Sequence, residues 1–262
     1  MPKLDIKSGT RLARVLVAVL ASACAPTCGK ACPELLRDAR RLILITAPTM
    51  DAVVATARLF ERDAAEAPWR SIHPAEPVVL GRFGMAWGPD SRDLARNREP
   101  LKAEGDKRTP AGIFRTGIAF GFAPSQEPNY LQIKAGDTVC VNDPSSPAYN
   151  TITSRAMIGA HTRAEDMANV ELYRRGLAID YPTKQAAAAG SCIFIHVWRS
   201  RDKGTDGCIA MPESRVAALQ DFAERGAVVA VLPESSLINF QGCLPDVPQT
   251  SKSGAPEQVD AE

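Results

Sequence analysis

Ile193-Phe194-Ile195-His196-Val197 is a run of β-branched and aromatic residues with one polar side chain, and it reads as a β-strand carrying a histidine. Similar short runs recur at Leu42-Ile43-Leu44-Ile45-Thr46, Val53 to Phe60, Val78-Val79-Leu80, Thr138-Val139-Cys140-Val141, Leu177-Ala178-Ile179 and Val228 to Leu232. In the second of these, Val54, Thr56, Arg58 and Phe60 fall on one side. Gly, Pro and Asn turns separate the runs. Two helices interrupt them. Thr162 and Glu165 form a capping box before Met167, Val170 and Tyr173, a stripe that stops at Gly176. Pro212 and Glu213 suit a first turn, Val216, Leu219, Phe222 and Ala223 share a face, and Gly226 ends that helix. Many strands and few helices predict a mainly β fold, a sandwich or open barrel with a few short helices. Helices do not alternate with strands and no glycine-rich phosphate loop follows one, which argues against a dinucleotide-binding sheet.

The 262 residues are 45% hydrophobic and 23% charged, a composition that buries a core and excludes wholesale disorder. The net charge of +1 provides no field for nucleic acid or a membrane surface, so small-molecule or polymer chemistry is expected. Lys3, Lys7, Arg11 and Arg14 precede an apolar run from Val15 to Ala23. That run is shorter than the roughly 20 residues a bilayer requires and fits a secretory signal, with Ala21-Ser22-Ala23 as the cleavage site. Residues 1–23 are therefore read as a signal peptide, and the mature chain is expected to be exported to the periplasm or cell envelope without a transmembrane helix. Cys24 would then be the first mature residue and is a candidate lipid anchor, although Ala21 stands where a lipoprotein signal usually has Leu.

Residues 24–38 read as an N-terminal flank, 39–235 as one domain and 236–262 as a disordered tail. From Pro245 onward the tail is rich in Pro, Ser, Asp and Glu and has no apolar periodicity. Seven cysteines (Cys24, Cys28, Cys32, Cys140, Cys192, Cys208 and Cys243) suit an oxidising compartment, and an odd count leaves one free. Cys24, Cys28 and Cys32 lack a nearby His and are read as part of the flank, not a metal site.

Chemistry concentrates around His196. Twelve residues later comes Gly207-Cys208-Ile209, after the polar stretch Lys203-Gly204-Thr205-Asp206 and shortly before a helix. A thiol is reactive as its thiolate, which a neighbouring imidazole generates by taking the proton. Gly207 lets the chain turn tightly, so the N–H groups of Gly207 and Cys208 are candidate oxyanion donors. On spacing alone, a buried thiol and a satisfied strand histidine are the plainer explanation. The other histidines, His73 and His161, sit in turn-like segments and carry no such signal. Tyr173 reads first as a core residue, and Cys192, four residues before His196 on the same strand face, as a buried structural thiol.

Three blocks in order add specificity. Gly190-Ser191-Cys192-Ile193-Phe194-Ile195-His196 followed by Thr205-Asp206-Gly207-Cys208-Ile209 resembles the signature of the L,D-transpeptidase catalytic domain family of YkuD type. Gly105-Asp106-Lys107-Arg108-Thr109-Pro110-Ala111-Gly112-Ile113-Phe114 resembles that family's Thr-Pro-x-Gly-x-Phe turn. Val141-Asn142-Asp143-Pro144-Ser145-Ser146 with Tyr149-Asn150 resembles a segment of one envelope subgroup. The blocks cover roughly residues 42–233. The sequence departs from the family where Asp206 replaces a second His, Ala210 replaces an Arg or Asn that clamps substrate, and Val197 follows the first His in place of Gly or Ser. The gap from His196 to Cys208 is also shorter than usual.

The resemblance implies Cys208 as nucleophile and His196 as base, with a backbone carbonyl near His196 fixing its tautomer; Asp206 or Asp180 are carboxylate candidates for the same task. Trp198, Arg199 and Arg201 are candidate substrate contacts, and Arg155 a further source of charge. The implied partner is a peptidoglycan stem peptide and the implied reaction is transfer through a cysteine thioester, giving 3→3 crosslinks or attaching envelope proteins. No metal or organic cofactor is called for. Water as acceptor would make the same site an L,D-carboxypeptidase or endopeptidase, and the departures at Asp206 and Ala210 leave open a peptidoglycan-binding module without turnover.

Overall fold

The computed structural model describes residues 32–184 and 187–248. The proposed signal peptide, Cys24 and Cys28 lie outside the described residues, as does the end of the tail. The strands are β1 (Arg41–Ala47), β2 (Val54–Glu61), β3 (Arg70–Ser71), β4 (Glu76–Val79), β5 (Met85–Trp87), β6 (Thr109–Gly121) and β7 (Tyr130–Gln132). They continue as β8 (Thr138–Val141), β9 (Ile152–Ser154), β10 (Ala164–Asp166), β11 (Arg175–Asp180), β12 (Phe194–Val197), β13 (Ile209–Met211) and β14 (Val228–Pro233). Two α-helices, α1 (Glu34–Asp38) and α2 (Glu213–Ala223), and several single 3₁₀ turns complete the described chain.

The main sheet runs β1-β14-β6-β11-β12-β13-β4-β2-β3, and β1 also pairs with β2. That last pairing, six residues long from Arg41–Glu61 to Thr46–Thr56, joins one end of the path to the strand next to its other end and closes the sheet into a barrel. The barrel is thinnest between β13 and β4, which share one pair, Ala210 with Val79. The β-branched runs of β1 and β14 are buried along almost their whole length because both faces are covered. Leu42, Ile43, Leu44, Val229, Ala230 and Val231 thus form part of the main core, which α2 covers with Val216 and Leu219. In β2 the core face is Ala55 and Ala57, with Phe60 after them, while Val54 is half exposed. The register is unbroken along β2, so Val54, Thr56, Arg58 and Phe60 do share a side, but only Phe60 of them is buried.

The mainly β expectation holds, and α2 ends as its sequence predicts, with Gly226 at φ +81° three residues beyond Ala223. Two local expectations are corrected. The capping box at Thr162 does not start a helix: Glu165 pairs with Cys140 across β10 and β8, and Met167–Asn169 and Glu171–Arg174 are separate 3₁₀ turns. The Thr109–Phe114 block is not a turn but the start of the longest strand. β6 pairs with β5 through Thr109–Ala111, then with β14 from Gly112, and further along with β11.

Two disulfides tie the chain together. Cys140–Cys192 joins the small sheet β10-β8-β9 to the segment leading into β12. Cys192 therefore is not a free structural thiol; it lies before β12 in a left-handed conformation, φ +56°. Cys32–Cys243 joins the expected flank to the expected tail. Residues 236–248 accordingly belong to the folded unit: a 3₁₀ turn spans Glu234–Phe240, and Phe240, Cys243 and Leu244 are buried in the main core.

Candidate active site

β12 and β13 run parallel with His196 opposite Ala210, and Cys208 immediately precedes β13. Side chains alternate along a strand, so Cys208 and Ala210 share a face, and His196 shares it from the neighbouring strand as a diagonal neighbour of Cys208. The twelve-residue spacing is thus converted into proximity by a strand, a loop and a second strand. Both residues line a cleft of about 200 Å³ together with Arg82, Glu165, Tyr173, Arg199, Lys203 and Asp206. A larger groove of about 770 Å³, between the β6–β7 connection and the end of α2, is lined by neither Cys208 nor His196.

The His196 ring is buried and its Nδ1 lies 2.8 Å from the Val197 carbonyl oxygen. A carbonyl only accepts, so Nδ1 holds the proton and Nε2 is left with the lone pair that a base needs. A backbone carbonyl, one of the alternatives the sequence left open, therefore fixes the tautomer. Asp206 is turned outward in an ion pair with Arg82, and Asp180 is exposed at the far end of β11, at the register of Arg115. Neither carboxylate is given the orienting task.

The Cys208 sulfur lies 3.4 Å from the Phe194 N–H, which donates to it, and 3.4 Å from the Cys192 carbonyl, which accepts from the thiol. Cys208 is the free cysteine among the described residues. Burial pulls the imidazole of His196 down to about 4, partly offset by the Val197 hydrogen bond. Burial also pushes the Cys208 thiol up to about 12, the Phe194 N–H working against it and the Glu165 charge adding to it. At rest the pair is a neutral thiol beside a neutral imidazole, not an ion pair.

The remaining sequence blocks hold Cys208 in place. The Cys208 carbonyl accepts from two hydroxyls, Thr205 at 2.6 Å and Thr109 at 3.1 Å. Thr109 is fully buried and its Oγ1 accepts in turn from the Gly81 N–H at 2.8 Å. This is the role of the Thr-Pro block. Asn150, at φ +61°, accepts the Cys192 N–H at 2.9 Å and donates to the Tyr181 carbonyl at 2.9 Å. Tyr149 donates to Glu104, which also accepts from Ser191 at 2.8 Å. The Tyr149-Asn150 block thus shapes the bend from which Cys192 presents its carbonyl to the thiol. Gly207 sits at φ +136°, where an added Cβ would be strained and would crowd the Arg108 carbonyl at 3.2 Å. Its N–H, expected at the oxyanion, donates instead to Thr205 Oγ1 at 3.1 Å.

The sequence matches the L,D-transpeptidase catalytic domain (YkuD) family over residues 56–231, about two thirds of its length. The chain belongs to that family. No curated protein matches significantly. Among solved structures, the helical cell shape determining protein Pgp2 from Campylobacter jejuni is similar at 14% identity and a TM-score of 0.39, over 77% of this chain and 52% of that one. This chain therefore spans about half the length of that relative.

Within this L,D-transpeptidase domain, Arg199 lines the cleft as the sequence suggested, and Arg82 and Lys203 join it unforeseen. Trp198 instead extends the ladder, its N–H donating to the Met211 carbonyl at 2.9 Å, and Arg201 is exposed in the following turn. Arg155 is committed to the carbonyls of Thr162 and Ala164. Glu165 and Tyr173, which no motif marked as functional, stand beside the sulfur. Tyr173 is buried as expected, but its ring packs edge-on to His196 at 5.3 Å and its hydroxyl donates to Glu165 at 2.8 Å in the cleft that Cys208 lines. Among the described residues, no group of three His, Cys, Asp or Glu could hold a metal ion, and no helix is long and apolar enough to cross a membrane.

Proposed function

We propose that this protein is a peptidoglycan L,D-transpeptidase that works through a thioester on Cys208. The observation that carries the reading is the single face shared by Cys208 and His196 at the cleft floor, with the Nδ1 proton of His196 locked by the Val197 carbonyl. Cys208 attacks the carbonyl of the third residue of a tetrapeptide stem, at the L-centre of its diamino acid. The S–C bond forms as the thiol proton moves to His196 Nε2. The tetrahedral intermediate then collapses, the C–N bond breaks, and the same proton leaves with the terminal D-alanine amine. A side-chain amine of another stem attacks the thioester, giving a 3→3 crosslink and regenerating the thiol.

The neutral resting pair suits this sequence, because His196 takes the proton only as the S–C bond forms. Arg199 and Lys203 at the cleft rim complement the carboxylates of a stem peptide and take over the task for which the family uses the residue at position 210. Ala210, buried opposite His196, cannot supply it. An exported chain is consistent with two disulfides in the described fold, a pattern of oxidising compartments. We place the mature protein in the periplasm or cell envelope on that ground and on the N-terminal signal pattern.

Water as acceptor at the same cleft would hydrolyse the thioester, which is the second reading; Ala210 in place of a substrate-clamping Arg or Asn favours it. Incubation of the purified protein with a disaccharide tetrapeptide, followed by mass analysis of the muropeptides, separates the two. Crosslinked dimer with loss of D-alanine is expected, and none from Cys208→Ala. Trimmed monomer alone would make the enzyme a carboxypeptidase; unaltered tetrapeptide would contradict both readings and leave a binding module.

A further inference from the structure

Tyr173 lines the same cleft as the two residues of the proposed dyad. Its ring packs edge-on against His196 at 5.3 Å and against Phe194 at 5.4 Å, and these contacts a phenylalanine would make equally well. The hydroxyl is what needs a reason. A buried phenol must be hydrogen-bonded, and here it donates to a carboxylate, Glu165 Oε2 at 2.8 Å, while the sulfur of Cys208 lines the same cleft as a second acceptor. One O–H cannot donate fully to both. At rest the thiol carries its own proton and the phenol donates to Glu165. Once His196 has taken that proton, the sulfur is the more demanding acceptor, and the phenol stands beside it together with the Phe194 N–H.

We propose that Tyr173 is a catalytic residue that donates a hydrogen bond to the Cys208 thiolate as it forms, and that Glu165 is the positioning residue that holds the phenol and competes for its proton. The proposal rests on Cys208 as the nucleophile. No bond of the phenol breaks: the proton leaving sulfur goes to His196 Nε2, and Tyr173 only changes its acceptor. The charged and titratable groups facing the sulfur are Glu165 on β10, Tyr173 on the 3₁₀ turn, His196 on β12 and Asp206 in the loop before β13, with Arg82, Arg199 and Lys203 around the cleft. Arg82 offsets Asp206 through their ion pair. Glu165 therefore opposes the thiolate twice, by its charge and by its hold on the phenol O–H, and burial raises its own carboxyl above the usual range.

The test is the pH profile of iodoacetamide alkylation at Cys208, read on the Cys208 peptide by mass spectrometry in wild type, Tyr173→Phe and Glu165→Gln, with folding checked by urea unfolding. Tyr173→Phe keeps the ring and should move the midpoint upward, slowing alkylation near neutral pH about ten- to a hundredfold. Glu165→Gln should move the midpoint downward, and should do so less when Tyr173→Phe is also present. Midpoints unmoved in both folded single variants would overturn the inference, since a merely structural pair changes the unfolding transition alone. Alkylation needs no peptidoglycan. Absent muropeptide turnover would therefore count against the proposed function, and unmoved midpoints against Tyr173, independently.

Discussion

His196 and Cys208 are buried with their charges suppressed, and this has a consequence for stability as well as for chemistry. His196 stays neutral in the fold down to about pH 4, whereas an exposed histidine takes a proton near about 6.5. Between those values the unfolded chain binds a proton that the folded chain refuses. The stability held by the neutral imidazole is therefore complete above about pH 6.5 and lost as pH falls toward 4, a loss on the order of 3 kcal/mol. Cys208 acts at the other end: its folded thiol keeps the proton up to about 12, while a free thiol loses it near about 8.5. That contribution is complete below about pH 8.5 and lost as pH rises. Urea unfolding midpoints should hold a plateau between these limits, and Cys208→Ala should flatten the alkaline limb selectively; an alkaline limb unchanged in that variant would contradict a buried neutral thiol. The meeting of His196 and Cys208 in one cleft was legible because both residues sit in short motifs with a fixed order. Glu165 and Tyr173 were not, because they come to the cleft from a segment more than thirty residues away whose visible pattern was a helix cap and an apolar stripe. Arg82, in a turn after β4, carried no pattern at all.

At the scale of elements, strands were legible where β-branched residues run together, as in β1, β8 and β14, and obscure where glycine and proline interrupt them. β6 is the plain case: Pro110 and Gly112 disguise its start as a turn, yet that start pairs with β5 and β14. The failed helix at Thr162 teaches the converse. A capping box is a local preference, and here cross-strand pairing of Glu165 with Cys140 together with the Tyr173 hydrogen bond outweighs it. Packing around β11 also gives a prediction. Gly176 lies directly opposite His196, and a Cβ placed there would stand 2.3 Å from the Phe120 ring. Phe120 in turn packs on Tyr173 and Phe194 at 5.9 and 5.0 Å. Gly176→Ala should therefore displace the aromatic cluster behind the dyad, costing about 1–3 kcal/mol in chemical denaturation and lowering muropeptide turnover by more than the unfolded fraction accounts for. Full turnover and unchanged stability would show that the cluster does not hold the site.

The described residues form a barrel closed by β1 against β2 and cross-linked by two disulfides. A mainly β fold, sandwich or open barrel, followed from the count and spacing of strands, but the choice between them and the closure did not, since the β1–β2 pairing has no sequence signature beyond two runs and a short link. The disulfides were equally hidden: seven cysteines allow many pairings, and Cys32 and Cys243 lie in segments whose composition reads as flank and tail. In the chain-entropy account, a loop closed over a separation of 211 residues contributes about 5 kcal/mol and one over 52 about 4 kcal/mol. Replacing Cys32 and Cys243 by Ser should lower the thermal midpoint and leave the turnover of the folded protein intact. Replacing Cys140 and Cys192 should lower both, because the Cys192 carbonyl accepts from the thiol of Cys208, the proposed nucleophile. Equal effects on turnover from the two pairs would contradict this division.

The central claim, that Cys208 carries the acyl group, is tested most directly by intact-protein mass spectrometry after brief mixing with a disaccharide tetrapeptide donor. The account predicts a mass increase equal to the donor less its terminal D-alanine, located on the Cys208 peptide, cleaved by hydroxylamine and absent from Cys208→Ala. D-alanine release that persists undiminished in Cys208→Ala, or an adduct that maps to another residue, would contradict it.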